Sequence, residues 1–463
     1  MVGLGIQSLC MNKTIELKGY WKFPRNSEWK ISGILKLEST GITLTTIGLL
    51  DDASNPKGRV ELIVGHTNQG HVTLIDSFLT LSTTSMSKGT IGFQTFSVNW
   101  CIIGKAFESL EKMNFSSVAF RFQHLESWAK VNGFRRESYE SKNNKLGKKL
   151  SIDYKQPSPI KIVKDENIDL SLYFSVSKKF PGVSNRTGEI SEKVYYNLYY
   201  KLATNLFDVI EFIYSLKTFQ TIAISNPTKI TDIELWERKG DEQKIKFYSK
   251  EILELENTRN IHHSEMAIPF SSIEGNRAEV FNHWLNKKTD LSAVYELYYN
   301  SVYVDRRFGR TEFLNIIFAL ETMHRKVLKG VLIQPEEYKG ILAKIKGALT
   351  IEEQKLMIDK MKYSYQYSLR NRLNELTKKF DFVLELFKEK RSLFIDIVVT
   401  TRNYYVHFDE GAKEKIVSEK KFPYYNLILK LLLDAFILSE LGLPTDQISS
   451  FVKKQKGMHN FLP

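Results

Sequence analysis

The chain has 463 residues and a formal net charge of +13 at pH 7, with a sequence pI near 9.2. That length supports two or three domains with proper cores, and the basic balance suits a polyanionic partner, although many basic proteins never touch nucleic acid. Two cysteines, Cys10 and Cys101, exclude a disulfide framework and point to a reducing, cytoplasmic setting.

The first ten residues, Met1-Val-Gly-Leu-Gly-Ile-Gln-Ser-Leu-Cys10, lack the charged n-region and cleavage site of a signal peptide, and Met11 offers a second start. From about residue 14 to 122 the pattern has period two, with strands expected at 31–37, 42–44, 60–64, 72–75 and 96–103. Asn68-Gln69-Gly70 reads as a hairpin turn between two of them. A short helix at 125–131 closes this antiparallel part. Residues 140–149 are polar and lysine-rich and read as a linker or exposed loop.

Strands resume at 160–163, 169–176 and 193–199, followed by a helix at 203–216 and strands at 221–224 and 244–248. The sequence leaves open whether this mixed part, residues 139–270, stands apart from residues 1–138 or packs onto the same sheets. Arg277 begins a polar helix, and after it the period is helical. Helices are expected at 291–299, 312–328, 335–348, 351–361, 369–379, 380–388, 392–408 and 424–441. Residues 271–463 therefore read as an all-helical domain. The fold class is α+β: a β-rich antiparallel half with a few helices, then an all-α bundle. The most apolar helix, near 427–443, is interrupted by Lys430, Asp434 and Glu440 and reads as too short for a bilayer, so no membrane partner is expected.

Chemistry concentrates near the C-terminus, in Thr401-Arg402-Asn403-Tyr404-Tyr405-Val406-His407. An arginine, an amide and an imidazole within two helical turns are the minimum equipment for metal-independent RNA cleavage. Imidazole moves protons near neutral pH, guanidinium stabilises phosphate charge, and the amide orients. On a wheel at roughly 100° per residue, Asp396, Thr400, Asn403 and His407 share one stripe. Apolar side chains cover most of the remainder, which predicts a buried helix whose polar residues need partners. Arg402 lies off the stripe, between Ile395, Val398 and Val406; it either reaches round or pairs with a carboxylate on a neighbouring helix. An arginine followed closely by a histidine also occurs at Arg59 to His66 and Arg277 to His283, but only the third instance combines Arg-Asn with a polar stripe.

Phe394-Ile-Asp-Ile-Val-Val-Thr-Thr-Arg-Asn-Tyr-Tyr-Val-His407 resembles the Arg-Asn-x-x-x-His signature of HEPN domains, all-helical modules that include many RNA endonucleases. Phe313-Leu-Asn-Ile-Ile-Phe-Ala-Leu-Glu-Thr-Met-His-Arg325, carrying Glu321, resembles an earlier core helix of that domain, and the stretch from Leu427 to Gly442 its closing helix. At the front, Gly19-Tyr-Trp-Lys-Phe-Pro24, Ile31-Ser-Gly-Ile-Leu-Lys-Leu37, Leu74-Ile-Asp-Ser-Phe78, Phe96-Ser-Val-Asn-Trp100, Leu125-Glu-Ser-Trp128 and Gly133-Phe134 resemble the N-terminal domain of ApeA-like proteins.

The resemblance implies an anti-phage protein that cuts RNA, with tRNA among the candidate substrates, and that arrests translation or aborts infection when a phage-derived trigger is sensed. It implies Arg402, Asn403 and His407 as catalytic, Glu321 and Asp396 as supporting, no cofactor, and pairing of two copies, a homodimer or larger assembly. Tyr404, Arg306, Arg307 and Arg310 are candidate RNA contacts. The rival reading is a non-catalytic RNA- or protein-binding chain whose Arg/Asn/His cluster is a buried structural network.

Other sites are weaker. His262-His263 has no further ligand at a convincing metal spacing. His324, one turn after Glu321, reads as an exposed helical histidine or an accessory site residue. No Walker loop and no Gly-x-Ser-x-Gly elbow occurs.

Overall fold

The structure is a computed structural model of the chain. It describes residues 14–26, 28, 31–50, 58–83, 92–140, 148–179, 188–238, 240–254, 261–303, 309–408 and 410–458. Cys10, the two candidate starts, most of the 140–149 segment, Arg306 and Arg307 lie outside the described residues. Two compact units form. The first takes the chain up to Gln220 with Thr228–His263 and Pro269–Glu274; the second takes Thr221–Pro227, Ser264–Ile268 and the chain from Gly275.

The first unit begins with β1 (Ile15–Lys22), β2 (Ile31–Glu38), β3 (Gly41–Ile47), β4 (Arg59–Thr67), β5 (Gly70–Thr83) and β6 (Phe93–Ile103). They pair antiparallel in the order β6-β3-β2-β1-β4-β5, and β5 pairs back onto β6, so the six close into a barrel. The period-two pattern directs Leu17, Trp21, Leu35, Leu37, Leu44, Ile63, Leu74 and Phe96 inward. Trp21 fills the interior because its neighbours are small. A Cβ added to Gly65 would lie 2.3 Å from the Trp21 ring, and one added to Gly33 would lie 2.8 Å from it.

β6 belongs to a second sheet as well. Beyond the stretch held by β3, its residues Trp100 to Ile103 pair with β14 (Ile245–Ser249). From there the order runs β14-β13-β7-β12-β11-β10, with β7 (Asn114–Phe122), β10 (Ile160–Lys164), β11 (Ile168–Lys179), β12 (Glu189–Asn205) and β13 (Ile230–Trp236). Strands from residues 139–270 thus share a sheet with β6 and β7. One face of this sheet is covered by α1 (Leu125–Ala129) and α2 (Leu206–Ile224). Trp128 packs against Tyr196, whose hydroxyl donates to Gln220 Oε1 at 2.9 Å. β8 (Phe134–Glu140) and β9 (Lys148–Tyr154), unforeseen from sequence, form a separate hairpin around 140–149, and α3 (Lys250–Leu253) follows β14.

Two assignments are corrected outright. Residues 221–224, expected as a strand, form the last turn of α2, while 203–205, expected as helix, end β12. Burial of Ile222, Ala223 and Ile224 outweighs the strand preference of β-branched residues.

The second unit is a helical bundle: α4 (Arg277–Lys287), α5 (Ser292–Tyr303), α6 (Gly309–Val327), α7 (Pro335–Ala348), α8 (Ile351–Met361), α9 (Leu369–Lys379), α10 (Asp381–Phe387), α11 (Arg391–His407), α12 (Phe422–Glu440) and α13 (Thr445–Met458). Local signals explain several starts. Thr350 and Glu353 form a reciprocal capping box on α8, and the Ser368 hydroxyl accepts from Asn371 N on α9.

The core helix is α12. The segment Glu419–Glu440 is long and apolar enough to cross a bilayer, contrary to the shorter span read from sequence, yet 72% of its most apolar stretch is buried inside the bundle. Its one deeply buried carboxylate, Asp434, accepts from Lys430 Nζ at 2.8 Å.

Gly65→Ala should destabilise the barrel by about 1–3 kcal/mol through overpacking against Trp21. Denaturant unfolding of the variant should show a lower midpoint, partly restored by Trp21→Phe in the same chain.

Candidate active site

α11 buries one face only: Phe394, Ile395, Val398 and Thr401, at helical spacing. Thr401 Oγ1 accepts from Val417 N at 2.9 Å and so ties the helix to the segment that leads into α12. The helix ends where Phe408 turns left-handed (φ 53°) and its N–H bonds Tyr404 O at 2.7 Å. The expectation of a helix buried around most of its surface is thereby corrected. Val406 is 39% and Phe408 75% exposed, and Asn403 and His407 are exposed between them. Apolar composition measures what a helix can bury, and within this bundle only one side of α11 meets other helices.

Arg402 takes both routes left open by the wheel. Its side chain is 21% exposed; Nη1 donates to Asn403 Oδ1 at 3.2 Å, and Nη2 lies 3.8 Å from Glu321 Oε2 on α6. The guanidinium also sits 6.0 Å from the Phe318 ring centre. Its Nε is buried and has no hydrogen-bond partner among the described residues. Glu321 is shared, because Arg325 Nη2 donates to Oε1 at 2.7 Å. One carboxylate between two guanidiniums leaves Arg402 incompletely neutralised, with charge available to an anion.

The other candidates divide. Asp396 is ion-paired with Arg370 on α9, so it does not brace Arg402, Asn403 or His407. Together with Thr400 it borders a cavity of about 470 Å³ that also touches Val417, Lys421 and Tyr425. Arg310 is held by Glu419 and packs 5.3 Å from the Tyr405 ring, which makes it a bracing group more than a free phosphate contact. Tyr404 is half-buried against Tyr405 and Phe408. His262 and His263 lie ring to ring at 4.1 Å, and no cluster of three or more His, Cys, Asp or Glu able to hold a metal occurs among the described residues.

His324, read as an exposed histidine, is fully buried. Arg372 Nη1 on α9 donates to its Nδ1 at 2.8 Å, and its Nε2 lies 2.9 Å from Glu375 Oε2. Because arginine can only donate, the imidazole is neutral with its proton on Nε2. Burial, reinforced by the Arg372 charge, pushes this imidazole below the ordinary value of 6.5 against the pull of Glu375. Arg372 itself is buried on the apolar face of α9 beside Leu373 and Leu376, a placement that its spacing could have flagged.

The comparisons with known proteins bear on most of the chain. A family model described as ApeA N-terminal domain 1 matches residues 16–284, more than half of the 463, and one described as Apea-like HEPN matches residues 314–447. No curated protein and no solved structure matches. The chain belongs to the ApeA family, with an ApeA-type N-terminal domain followed by a HEPN domain that contains Glu321, Arg402, Asn403 and His407.

The His324 pairing predicts a pH effect on stability. The unfolded chain binds this proton near pH 6.5, whereas the folded one resists it, so stability should fall as pH drops below about 6.5. His324→Gln keeps an acceptor for Arg372 and a donor for Glu375 but cannot titrate. Denaturant unfolding at pH 7.5 and pH 5.5 should show a smaller loss in the variant than in wild type.

Proposed function

We propose that this ApeA-family chain is a metal-independent RNA endonuclease of anti-phage defence, acting through Arg402, Asn403 and His407. The observation that carries this reading is the exposure of Asn403 and His407 on the last turn of α11, beside an arginine held by a partly buried, shared carboxylate. The exposure of those two side chains supports this reading over the rival of a buried structural network.

In the proposed reaction the substrate's 2′-hydroxyl attacks the adjacent phosphorus, its proton leaves, and the 5′-oxygen departs with a proton, giving a 2′,3′-cyclic phosphate. His407 serves as general base or acid, Arg402 stabilises the added charge on the phosphorane, and Asn403 orients His407 or the phosphate. Glu321 holds Arg402 in place, with Arg325 holding Glu321. A second proton-transfer group is required, and His407 of a second copy supplies it. The exposed Val406 and Phe408 on either side of His407 support such pairing, because association removes them from water. The ApeA-type N-terminal part is assigned to sensing a phage-derived trigger, and cleavage of tRNA or another cellular RNA would arrest translation.

His407→Ala and Arg402→Ala should each reduce cleavage by roughly 10²-fold or more. His407→Ala should leave the melting temperature nearly unchanged, because that side chain is exposed, whereas Arg402→Ala should lower it, because it removes a mostly buried partner of Glu321. Mapping RNA ends in phage-challenged cells at matched expression checks this. New ends carrying cyclic phosphate with wild type alone support the nuclease; equal protection by the variants without new ends would return the chain to the binding class. Phe408→Asp should shift the assembly toward monomer in light scattering and lower cleavage together with it.

A further inference from the structure

The second sheet carries a cavity on the face turned away from α1 and α2. Its volume is about 430 Å³, and it is lined by Tyr173, Tyr195, Asn197, Tyr199, Glu234 and Trp236, with Asp241 and Lys244 beside them. Strand register explains its shape. One row across the sheet runs Asn197, Ala119, Glu234, and the next runs Tyr199, Ser117, Trp236. On the other side of the first row, Tyr173 faces Tyr195. Small residues on β7 thus leave a depression between aromatic walls, with a carboxylate in its floor.

Glu234 is only 8% exposed, and its partners are the ammonium groups of Lys244 at 2.8 Å and Lys246 at 3.7 Å. Tyr195 Oη donates to Asp232 Oδ2 at 2.9 Å, and Asn197 Nδ2 to Tyr199 Oη at 3.1 Å, so the walls are set. Lys244 arrives from the turn between β13 and β14, where Gly240 has φ 91° and open space around it.

We propose that this trough receives a cationic side chain of a partner polypeptide, arginine in preference to lysine, with Glu234 as its carboxylate and Tyr199 and Trp236 as its ring faces. Lys244 is the internal stand-in: an ammonium already occupies the carboxylate, and its side chain, 46% exposed, can swing out to solvent. A guanidinium adds what Lys244 lacks, a flat face for the rings and a two-pronged donor for the carboxylate. A phosphate-bearing ligand would instead meet Glu234 and Asp241, with a single lysine of the lining that is already committed. This assignment concerns the N-terminal part and does not rest on the nuclease reading.

The test uses the full chain and two capped peptides, acetyl-Gly-Arg-Gly-amide and its citrulline counterpart, titrated by calorimetry and saturation-transfer NMR. The arginine peptide should bind saturably and about tenfold more tightly than the citrulline one. Glu234→Gln should weaken binding about tenfold, and Lys244→Ala, which removes the nearer ammonium and leaves only the more distant Lys246, should strengthen it several-fold. Melting temperatures verify that the variants fold, and Trp236→Leu gives an independent loss should Glu234→Gln fail to fold. Equal binding of the two peptides, or no binding to Lys244→Ala, would overturn the proposal. Adenosine monophosphate binding that Glu234→Gln enhances would overturn it too and mark the trough as a nucleotide site.

Discussion

A guanidinium four-fifths buried must be neutralised or moved to water, and the arrangement around α11 follows from how Arg402 meets that demand. Glu321 answers it from α6, and Arg325 in turn holds Glu321. One turn along the same helix, His324 accepts from Arg372 on α9, and Glu375 on that helix takes the other side of the imidazole. α6 is therefore clamped to α9 and α11 by polar pairs set among the apolar contacts of the bundle. Apolar contacts tolerate sliding, whereas a buried charge left without its partner is expensive, so these pairs define the register of the three helices.

The exposed end of α11 makes sense in that light. The arginine and its carboxylate are mostly buried, and the amide and imidazole are exposed. Val406 and Phe408 accompany them as exposed apolar side chains, which a lone helix end has no structural use for.

In the first unit the governing constraint is that β6 is long enough to serve two sheets. Its first part closes the barrel around Trp21, and its last residues start the sheet whose outer face holds the tyrosine-lined trough. The sharing also decides what linear reading left open, since residues from 139–270 add strands to the sheet that β6 and β7 begin. Small residues matter at both places: Gly33 and Gly65 make room for Trp21, and Ala119 and Ser117 make room in the trough.

Periodicity alone determined the α+β division, most helices of the bundle, several to the residue, and the alternation that fills the barrel. Those features depend on spacing along one element, which a linear chain states directly. The Arg-Asn-x-x-x-His helix was legible for the same reason, as three residue types within two turns. Tertiary structure alone decided which side of α11 is covered, that Asp396 goes to Arg370, that His324 is buried between Arg372 and Glu375, and that residues 221–224 stay helical. Each of these depends on a partner distant in the chain, between 26 and 51 residues away for the three side-chain pairs, and spacing carries no record of which distant faces meet. The wheel placed Arg402 off the polar stripe; only the packing of α6 beside it determined that one side chain would reach both Asn403 and Glu321.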